Sequence, residues 1–217
     1  MKFFGWRMVF TGLTLEFTVV GFIFYSFPVI WPYLISELGM TESQLGMVSA
    51  FYFLPVGILA IVVGRALDKY SVKNFMMIGA VIYAVGLFSL SFINSYGSLL
   101  TIYLTIIALG SIMMGNLAVA KLISNWFDKN AGRALGIAAI GISFSGVVLP
   151  LVVDPLLDLV GWRNVYVIFA SVVLFILLPL IFFTVIDDPK TVNQVKDGIK
   201  KDNEEALPQE MSAKDLL

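Results

Sequence analysis

Long stretches without a charged side chain alternate with short polar segments between residues 6 and 186 of this chain. The stretches that contain no Asp, Glu, Lys or Arg are 17–36, 43–64, 74–120, 134–153 and 164–186. A helix that crosses a bilayer needs about 20 mostly apolar residues, so four of these stretches fit one helix each. The remaining stretch, 74–120, is long enough for two, and turn-forming residues at 94–98 divide it.

The pattern therefore predicts an all-α membrane protein whose transmembrane domain occupies residues 1–186. The six expected helices are Met8–Leu34, Leu45–Gly64, Lys73–Phe92, Leu99–Ile123, Gly132–Val153 and Val165–Ile186. The outer end of the first should be bent, because Pro28 and Pro32 each remove a backbone donor. Residues 187–217 mix charges of both signs and form a tail or the start of a central loop, which we expect to be disordered or weakly helical.

Composition supports a membrane protein and removes several other classes. The chain is 59% hydrophobic and only 13% charged, whereas soluble domains carry about 25% charged residues. A net charge of −1 gives no reason to expect nucleic acid as a partner. Cysteine and histidine are both absent, which excludes disulfides, thiolate metal sites and the commonest general base. With no Walker-type loop and no paired carboxylates, we expect no enzymatic activity, cofactor or metal.

Basic residues predict the orientation of the chain, because Lys and Arg are retained on the cytoplasmic side. With an inside N-terminus, the cytoplasmic side receives Lys2, Arg7, Arg65, Lys69, Lys73, Lys121, Lys129 and Arg133. The other side receives Arg163 before the tail is counted. We therefore expect a multi-pass protein of the cell membrane with both termini in the cytoplasm. The first helix lacks a small-residue cleavage site, so we expect it to be retained.

An internal repeat relates the two halves of the domain. Dipeptide pairs recur at a constant offset of 90 residues: Leu45-Gly46 and Leu135-Gly136, Leu67-Asp68 and Leu157-Asp158, Lys73-Asn74 and Arg163-Asn164. The offset aligns helix two with helix five, so the repeats cover roughly residues 1–96 and 97–186 with three helices each. An odd number of helices inverts the second repeat. Inverted three-helix repeats are typical of secondary transporters, which hold substrate near the midplane.

The loop after helix two carries a recognisable pattern. Gly64, Asp68, Lys69 and Lys73 resemble the cytoplasmic signature of the major facilitator superfamily. The pattern is broken at Ala66, Ser71 and Val72, where the family has leucine, glycine and a basic residue. The resemblance implies a gating loop whose aspartate helps to latch the two halves of a carrier. An ordinary positively charged inside loop is the alternative.

A second succession of residues is more specific. It consists of Gly5-Trp6-Arg7, Asn125-Trp126-Phe127, residues 132–138, Gly141, Gly146, Pro150 and Gly161-Trp162-Arg163. This succession is similar to the monocarboxylate and oxalate/formate antiporter branch of the superfamily. It implies secondary active transport of small organic anions, monocarboxylate or dicarboxylate, by alternating access. Gly132, Gly136, Gly141 and Gly146 remove bulk from helix five and favour close helix packing.

Two ionisable residues lie within the spans. Glu16 falls about 12 Å along helix one, where a buried charge is expensive and usually faces a cavity or a partner. It is a proton-coupling candidate; the alternative is a neutral carboxyl, or one satisfied by a hydroxyl or by a cation in a missing half. Lys121, near the inner end of helix four, extends to the surface or attracts anions.

The resemblance also implies that helices one and four line a central cavity. Thr18, Tyr25 and Asn116 are the resulting cavity candidates, although tyrosines near interfaces are also ordinary membrane anchors. The family has twelve helices, and this chain resembles the first six. The expected partners are therefore the lipid bilayer, a small organic anion and a C-terminal six-helix half, without which Asp68 should lack its partner. A homodimeric carrier and a truncated or non-transporting protein with a sensor or assembly role are the alternatives.

Overall fold

The computed structural model describes residues 3–198, and no β-strand occurs among them. Long helices fill this range, as the charge pattern predicts. They are α1 (Gly5–Leu38), α2 (Glu42–Lys69), α3 (Val72–Leu90), α4 (Tyr96–Trp126) and α5 (Ala131–Thr184), each apolar and long enough to cross a membrane. Two short 3₁₀ turns follow, at Pro189–Val192 and Lys196–Gly198.

Helix α5 consists of two arms. Its 54 residues would extend about 80 Å if straight, far more than the roughly 30 Å of a bilayer core. The backbone of Gly161 has φ +76° and leaves the helical region, a conformation that favours glycine. The first arm (residues 131–160) and the second arm (162–184) meet there. The sequence placed a loop around Asp154 and Asp158, but the first arm continues through both because its end projects beyond the apolar region.

Several helices are interrupted near their middles. In α1, a π-helical turn at Gly21–Tyr25 precedes the segment Phe27–Leu38, and Ser26 between them keeps helical backbone angles (φ −80°, ψ −26°). Pro28 occupies the first turn of this segment, where its missing N–H costs little, and the bend expected from the prolines stays a prediction. In α4, a π-helical turn at Tyr103–Ile107 is followed by a break at Gly115.

Close helix crossings hold the bundle together. Helix α1 packs chiefly on the first arm of α5, and α3 packs on α4. At the second crossing, a Cβ on Gly79 would stand 2.7 Å from Met113 Cβ, and one on Gly110 would stand 2.7 Å from Tyr83 Cα. Glycine at both positions therefore lets the two backbones approach. The sequence analysis did not identify this pair.

The two ends of the bundle differ in charge. One end, here called the basic end, carries Arg7, Arg65, Lys69, Lys73, Lys121, Lys129 and Arg133. The opposite end carries Glu37, Asn94, Asp158 and Arg163. Lys2 lies outside the described residues.

The segment after α5, residues 186–198, lies across the basic end and is hydrogen-bonded to it; it is called the strap below. Trp126 Nε1 donates to Ile186 O (2.7 Å), Lys73 N donates to Asp187 Oδ1 (2.7 Å) and Phe4 N donates to Gln194 Oε1 (2.9 Å). Of the two expectations for the tail, the weakly helical one fits residues 187–198, which contain two short 3₁₀ turns. The rest of that tail lies outside the described residues.

Asp197 makes the densest set of contacts in this strap. Its carboxylate accepts hydrogen bonds from the backbone amides of Asp128, Lys129 and Asn130 (2.8–3.2 Å) and from the Asn130 side chain (3.1 Å). Partial burial favours the neutral acid, but these hydrogen bonds outweigh it and lower the pKa of Asp197. The carboxylate thereby caps the start of α5.

We expect Asp197→Asn to loosen the strap and to increase tryptic cleavage after Lys190 and Lys196 several-fold at neutral pH. The pKa of Asp197 is lower in the folded chain than in the unfolded chain. Its carboxylate therefore stabilises the strap fully above the unfolded pKa of about 3.9, and this stabilisation is lost as the pH falls through the folded pKa. The cleavage rates of wild type and variant should therefore become equal in acid. Asp154→Asn, at the opposite end, is the matched control and should cleave like wild type.

Candidate functional site

The middle of α1 buries a carboxyl group. Glu16 follows the start of α1 by about 16 Å and only 2% of it is exposed. Its Oε2 atom has no hydrogen-bond partner among residues 3–198. The side chain of Asn116 in α4 lies close enough to influence the carboxyl group, but no hydrogen bond joins the two residues. The structure therefore brings together two residues that the sequence analysis selected for separate reasons.

Asn116 owes its position to the break in α4. Gly115 adopts φ −91° and ψ −140°, and a new helical segment, Asn116–Trp126, begins directly after it without a side-chain cap. A Cβ on Gly115 would stand 2.7 Å from Ser111 O and 3.2 Å from Val19 Cγ1. Glycine therefore permits α1 and α4 to meet at this point. Asn116 itself is exposed on the surface of the bundle.

The other two cavity candidates occupy different environments. Thr18 is 3% exposed and donates its hydroxyl to Thr14 O (2.9 Å), so it faces the packed interior and not an open surface. Tyr25 lines an open cavity of about 200 Å³. The residues around that cavity are Val19, Val20, Ile23, Phe24, Tyr25, Tyr52, Phe53 and Ile142. The cavity is thus apolar and aromatic, and it lies beside the π-helical turn of α1.

Buried tyrosine hydroxyls surround the interruption of α1. Tyr83 donates to Val19 O (2.8 Å), and Tyr52 donates to Ser111 Oγ (2.6 Å). The first bond ties α3 to α1 directly before the π-helical turn, and the second ties α2 to α4. Neither tyrosine is among the residues predicted from the sequence to line a site. Their midhelix positions were the available signal, but their partners could not be identified without the fold.

The four glycines selected in helix five divide into two pairs. A Cβ on Gly141 would collide with the backbone of Leu13 and would stand 3.1 Å from Phe17 N. A Cβ on Gly146 would stand 3.0 Å from the Tyr25 ring. By contrast, nothing among the described residues lies within 4 Å of the corresponding points at Gly132 and Gly136. The packing expectation is therefore not met for these two glycines within residues 3–198.

The segment expected to form a loop after helix two is mostly helical, because α2 continues through Lys69 and α3 begins at Val72. Asp68, in the last turn of α2, is connected to α4. Asp68 Oδ1 pairs with Lys121 Nζ at 2.6 Å, and both side chains are partly exposed. Within this chain Lys121 thus partners Asp68, and a partner of Asp68 in a C-terminal half stays a prediction. The carboxylate at the start of α3 is Asp187 and not Asp68.

The remaining residues of the signature take simpler positions. Lys69 is exposed, a Cβ on Gly64 would stand 3.9 Å from Leu117 Cδ2 of α4, and Lys73 Nζ stands 5.0 Å from the centre of the Phe182 ring. The segment thus lies beside both α4 and the second arm of α5. Its gating role stays a prediction.

The opposite end is held by the Gly-Trp-Arg sequence at the bend of α5. Glu37 Oε2 accepts from Trp162 Nε1 and Arg163 Nη1, both at 2.9 Å. Arg163 also donates through Nη2 to Ile93 O and Asn94 Oδ1 (3.2 Å each). One arginine thereby joins the end of α1, the α3–α4 loop and the start of the second arm.

Comparison with known proteins identifies the family. The model of the Major Facilitator Superfamily matches residues 13–211, which is most of the chain. The MFS-type transporter pynF of Aspergillus niger is 26% identical over 160 residues, covering 73% of this chain and 36% of that protein. MFS-type transporter 1 of an Ophiocordyceps species is 29% identical over 140 residues, covering 64% of this chain and 31% of that protein.

A bacterial relative covers more of the chain. The probable hexose phosphate transport protein of Chlamydia trachomatis is 24% identical over 218 residues, covering 98% of this chain and 46% of that protein. The chain thus spans about a third to a half of the length of these relatives. The family match, the apolar helices and the loop signature agree: this chain belongs to the major facilitator superfamily.

Proposed function

We propose that this chain is the N-terminal half of a secondary carrier for small organic anions, and that it crosses the membrane six times as two inverted three-helix repeats. The main support for this proposal is the spacing of the helices along the chain. Gly5 and Tyr96, Glu42 and Ala131, and residues 72 and 162 begin equivalent helices at offsets of 91, 89 and 90 residues. These offsets agree with the 90-residue sequence repeat.

Side-chain pairs support the same relation. Asp68, at the end of the second helix, meets Lys121 of the fourth. Asp158, its counterpart one repeat later, accepts a hydrogen bond from Tyr33 of the first helix (3.0 Å). An inverted repeat exchanges the second helix with the fifth and the fourth with the first, so the two pairs join equivalent helices, although Lys121 itself aligns with residue 31 and not with Tyr33. The two pairs occupy opposite ends of the bundle, as inversion requires.

The basic end of this half belongs in the cytoplasm. Within residues 3–198 and outside the strap, every Lys and Arg except Arg163 lies at this end. Lys and Arg near membrane-spanning helices are retained on the cytoplasmic side. With an even number of crossings, both termini are cytoplasmic. The cell membrane is the corresponding location.

A C-terminal six-helix half completes the carrier. In its apolar 18-residue window, 11% of α2 is buried, against 61% for α4. Exposed apolar side chains follow one face of α2 and one of the first arm: Leu54, Ile58 and Ile61, and Ile140, Phe144, Val147 and Leu151. We assign these faces, and the open sides of Gly132 and Gly136, to contact with the second half.

The substrate is an anion in this proposal. Residues 5–163 carry the succession similar to the monocarboxylate and oxalate/formate branch, and one relative is named for hexose phosphate transport. Carboxylates and phosphate esters share oxyanion chemistry, so the phosphate ester is the second candidate. Glu16 is the proposed proton-coupling residue, because its buried carboxyl lies at the depth where such carriers hold substrate.

Uptake into proteoliposomes tests the substrate class. The chain is reconstituted with a C-terminal six-helix half, and labelled pyruvate, malonate and glucose 6-phosphate are offered under an inward proton gradient. We expect saturable uptake of the carboxylates, abolished when the gradient is collapsed. Uptake of glucose 6-phosphate alone would show that the substrates are phosphate esters and not carboxylates. Uptake of glucose in preference to all three anions would contradict the proposal.

A further inference from the structure

The break in α4 places the start of a helix deep in the membrane-spanning region. Asn116–Trp126 contains 11 residues, so Asn116 lies about 16 Å from the basic end of α4, near the middle of a roughly 30 Å core. The first amides of a helix have no partner within it and carry partial positive charge. At the midplane, such half-helix starts bind anionic substrate groups.

Glu16 provides an independent reason to connect this helix start with a ligand. The side chain is 98% buried, its Oε2 lacks a partner among the described residues, and the Asn116 side chain lies nearby without a hydrogen bond to it. A buried polar atom without a partner is unfavourable until it gains a proton, a hydrogen bond or both. Asn116 is exposed on the surface of the bundle while Glu16 is not.

We propose that the start of Asn116–Trp126 is the oxyanion subsite of the carrier, and that Glu16 controls it through the orientation of the Asn116 amide. The proposal rests on the anion-transport function above. A protonated Glu16 donates its O–H to Asn116 Oδ1, which leaves both Nδ2 hydrogens for a substrate carboxylate or phosphate. An ionised Glu16 accepts from Nδ2 instead and turns Oδ1 toward the anion, which repels it.

This arrangement links one proton to one anion. A proton from the aqueous side binds Glu16 Oε2, the anion then binds Asn116 and the adjacent backbone amides, and both leave together. No bond other than the O–H bond forms or breaks. Glu16 is thus a positioning residue in this scheme, and Asn116 is the residue that touches the substrate.

Few other ionisable groups face Glu16 from the helices packed on α1. On α4, Lys121 lies more than one turn toward the basic end and is paired with Asp68. On α3, the Tyr83 hydroxyl is bonded to a carbonyl of α1. The first arm of α5 has no titratable side chain over 134–153, and the second arm offers only Tyr166 over 164–184. The proton is therefore assigned to Glu16.

Titration of malonate and of glucose 6-phosphate into the purified chain in nanodiscs tests the subsite, with tryptophan fluorescence as the readout. For wild type we expect affinity to rise as the pH falls, by up to about tenfold per pH unit, the slope of one linked proton. Glu16→Gln, whose amide donates permanently, should bind with little pH dependence. Asn116→Asp should lose binding at neutral pH, and Gly115→Ala should weaken it. Asp154→Asn, an exposed carboxyl variant, should match wild type.

The outcomes separate this inference from the proposed function. Anion binding whose pH dependence survives in Glu16→Gln overturns the subsite, as does unchanged binding in Asn116→Asp. If the two-half carrier transports anions while this chain binds none, the subsite lies elsewhere and the function stands. If the carrier transports no anion, the proposed function itself fails. Melting temperatures of the variants identify any that do not fold, and Glu16→Gln, which conserves shape, keeps the test decisive.

Discussion

Replacing Gly141 by alanine should destabilise the isolated chain strongly, by about 1–3 kcal/mol, the usual cost of overpacking. The added Cβ would overlap the backbone of Leu13 and press on Phe17, so α1 and the first arm of α5 must separate. Backbone atoms cannot rotate away as the end of a flexible side chain can. The loss should appear as a lower melting temperature and a lower yield of folded protein in detergent.

Gly136→Ala is the matched control for this substitution. It lies five residues away on the same arm, where nothing in the described part of the chain approaches within 4 Å. Alanine in an open helical position is stabilising by about 0.5–1 kcal/mol relative to glycine. We therefore expect no loss of stability from this variant. Equal losses at both positions would show that α1 and α5 do not cross as described.

A cysteine at Leu159 should react almost completely with a membrane-impermeant maleimide added outside intact cells. Leu159 is 80% exposed and lies at the bend between the two arms of α5. If the arms are separate crossings, this bend emerges on the outer side. The natural chain contains no cysteine, so unmodified protein gives no background.

Lys69→Cys reports on the other side of the membrane. Lys69 is exposed at the basic end, so its cysteine should react only after the cells are permeabilised. A single crossing by α5 would bury Leu159 in lipid and leave its cysteine unreactive under both conditions. Labelling of both cysteines from outside would contradict the assigned orientation.

The sequence predicted the apolar helices well because charge-free stretches are a direct consequence of bilayer thickness. It also predicted that Gly141 and Gly146 face another helix. The sequence could not predict which helix surfaces pack against each other. Gly132 and Gly136 lie on the same helix as Gly141 and Gly146 but on an open side. Thr18 and Tyr25 were both cavity candidates, yet Thr18 faces the packed interior while Tyr25 faces a cavity.

Long-range contacts explain the other differences. Asp68 finds Lys121, 53 positions along the chain, because α4 returns beside α2. Asp197 binds the backbone just before α5, although the sequence around it has the composition of a polar tail. The break at Gly115 was not predicted either, since a single glycine is compatible with a continuous helix. The backbone angles of Gly115 (φ −91°, ψ −140°), and not its place in the sequence, distinguish it from the glycines that stay helical.

Dependence on a second half is the central claim, and malonate uptake by this chain with and without a C-terminal six-helix half tests it most directly. Equal amounts of the chain are placed in proteoliposomes alone, with the second half, or with the second half and Glu16→Gln. We predict background uptake for the chain alone and saturable uptake when the second half is present, with the proton dependence lost in the variant. Saturable uptake by the chain alone would contradict the claim and identify a homodimeric carrier.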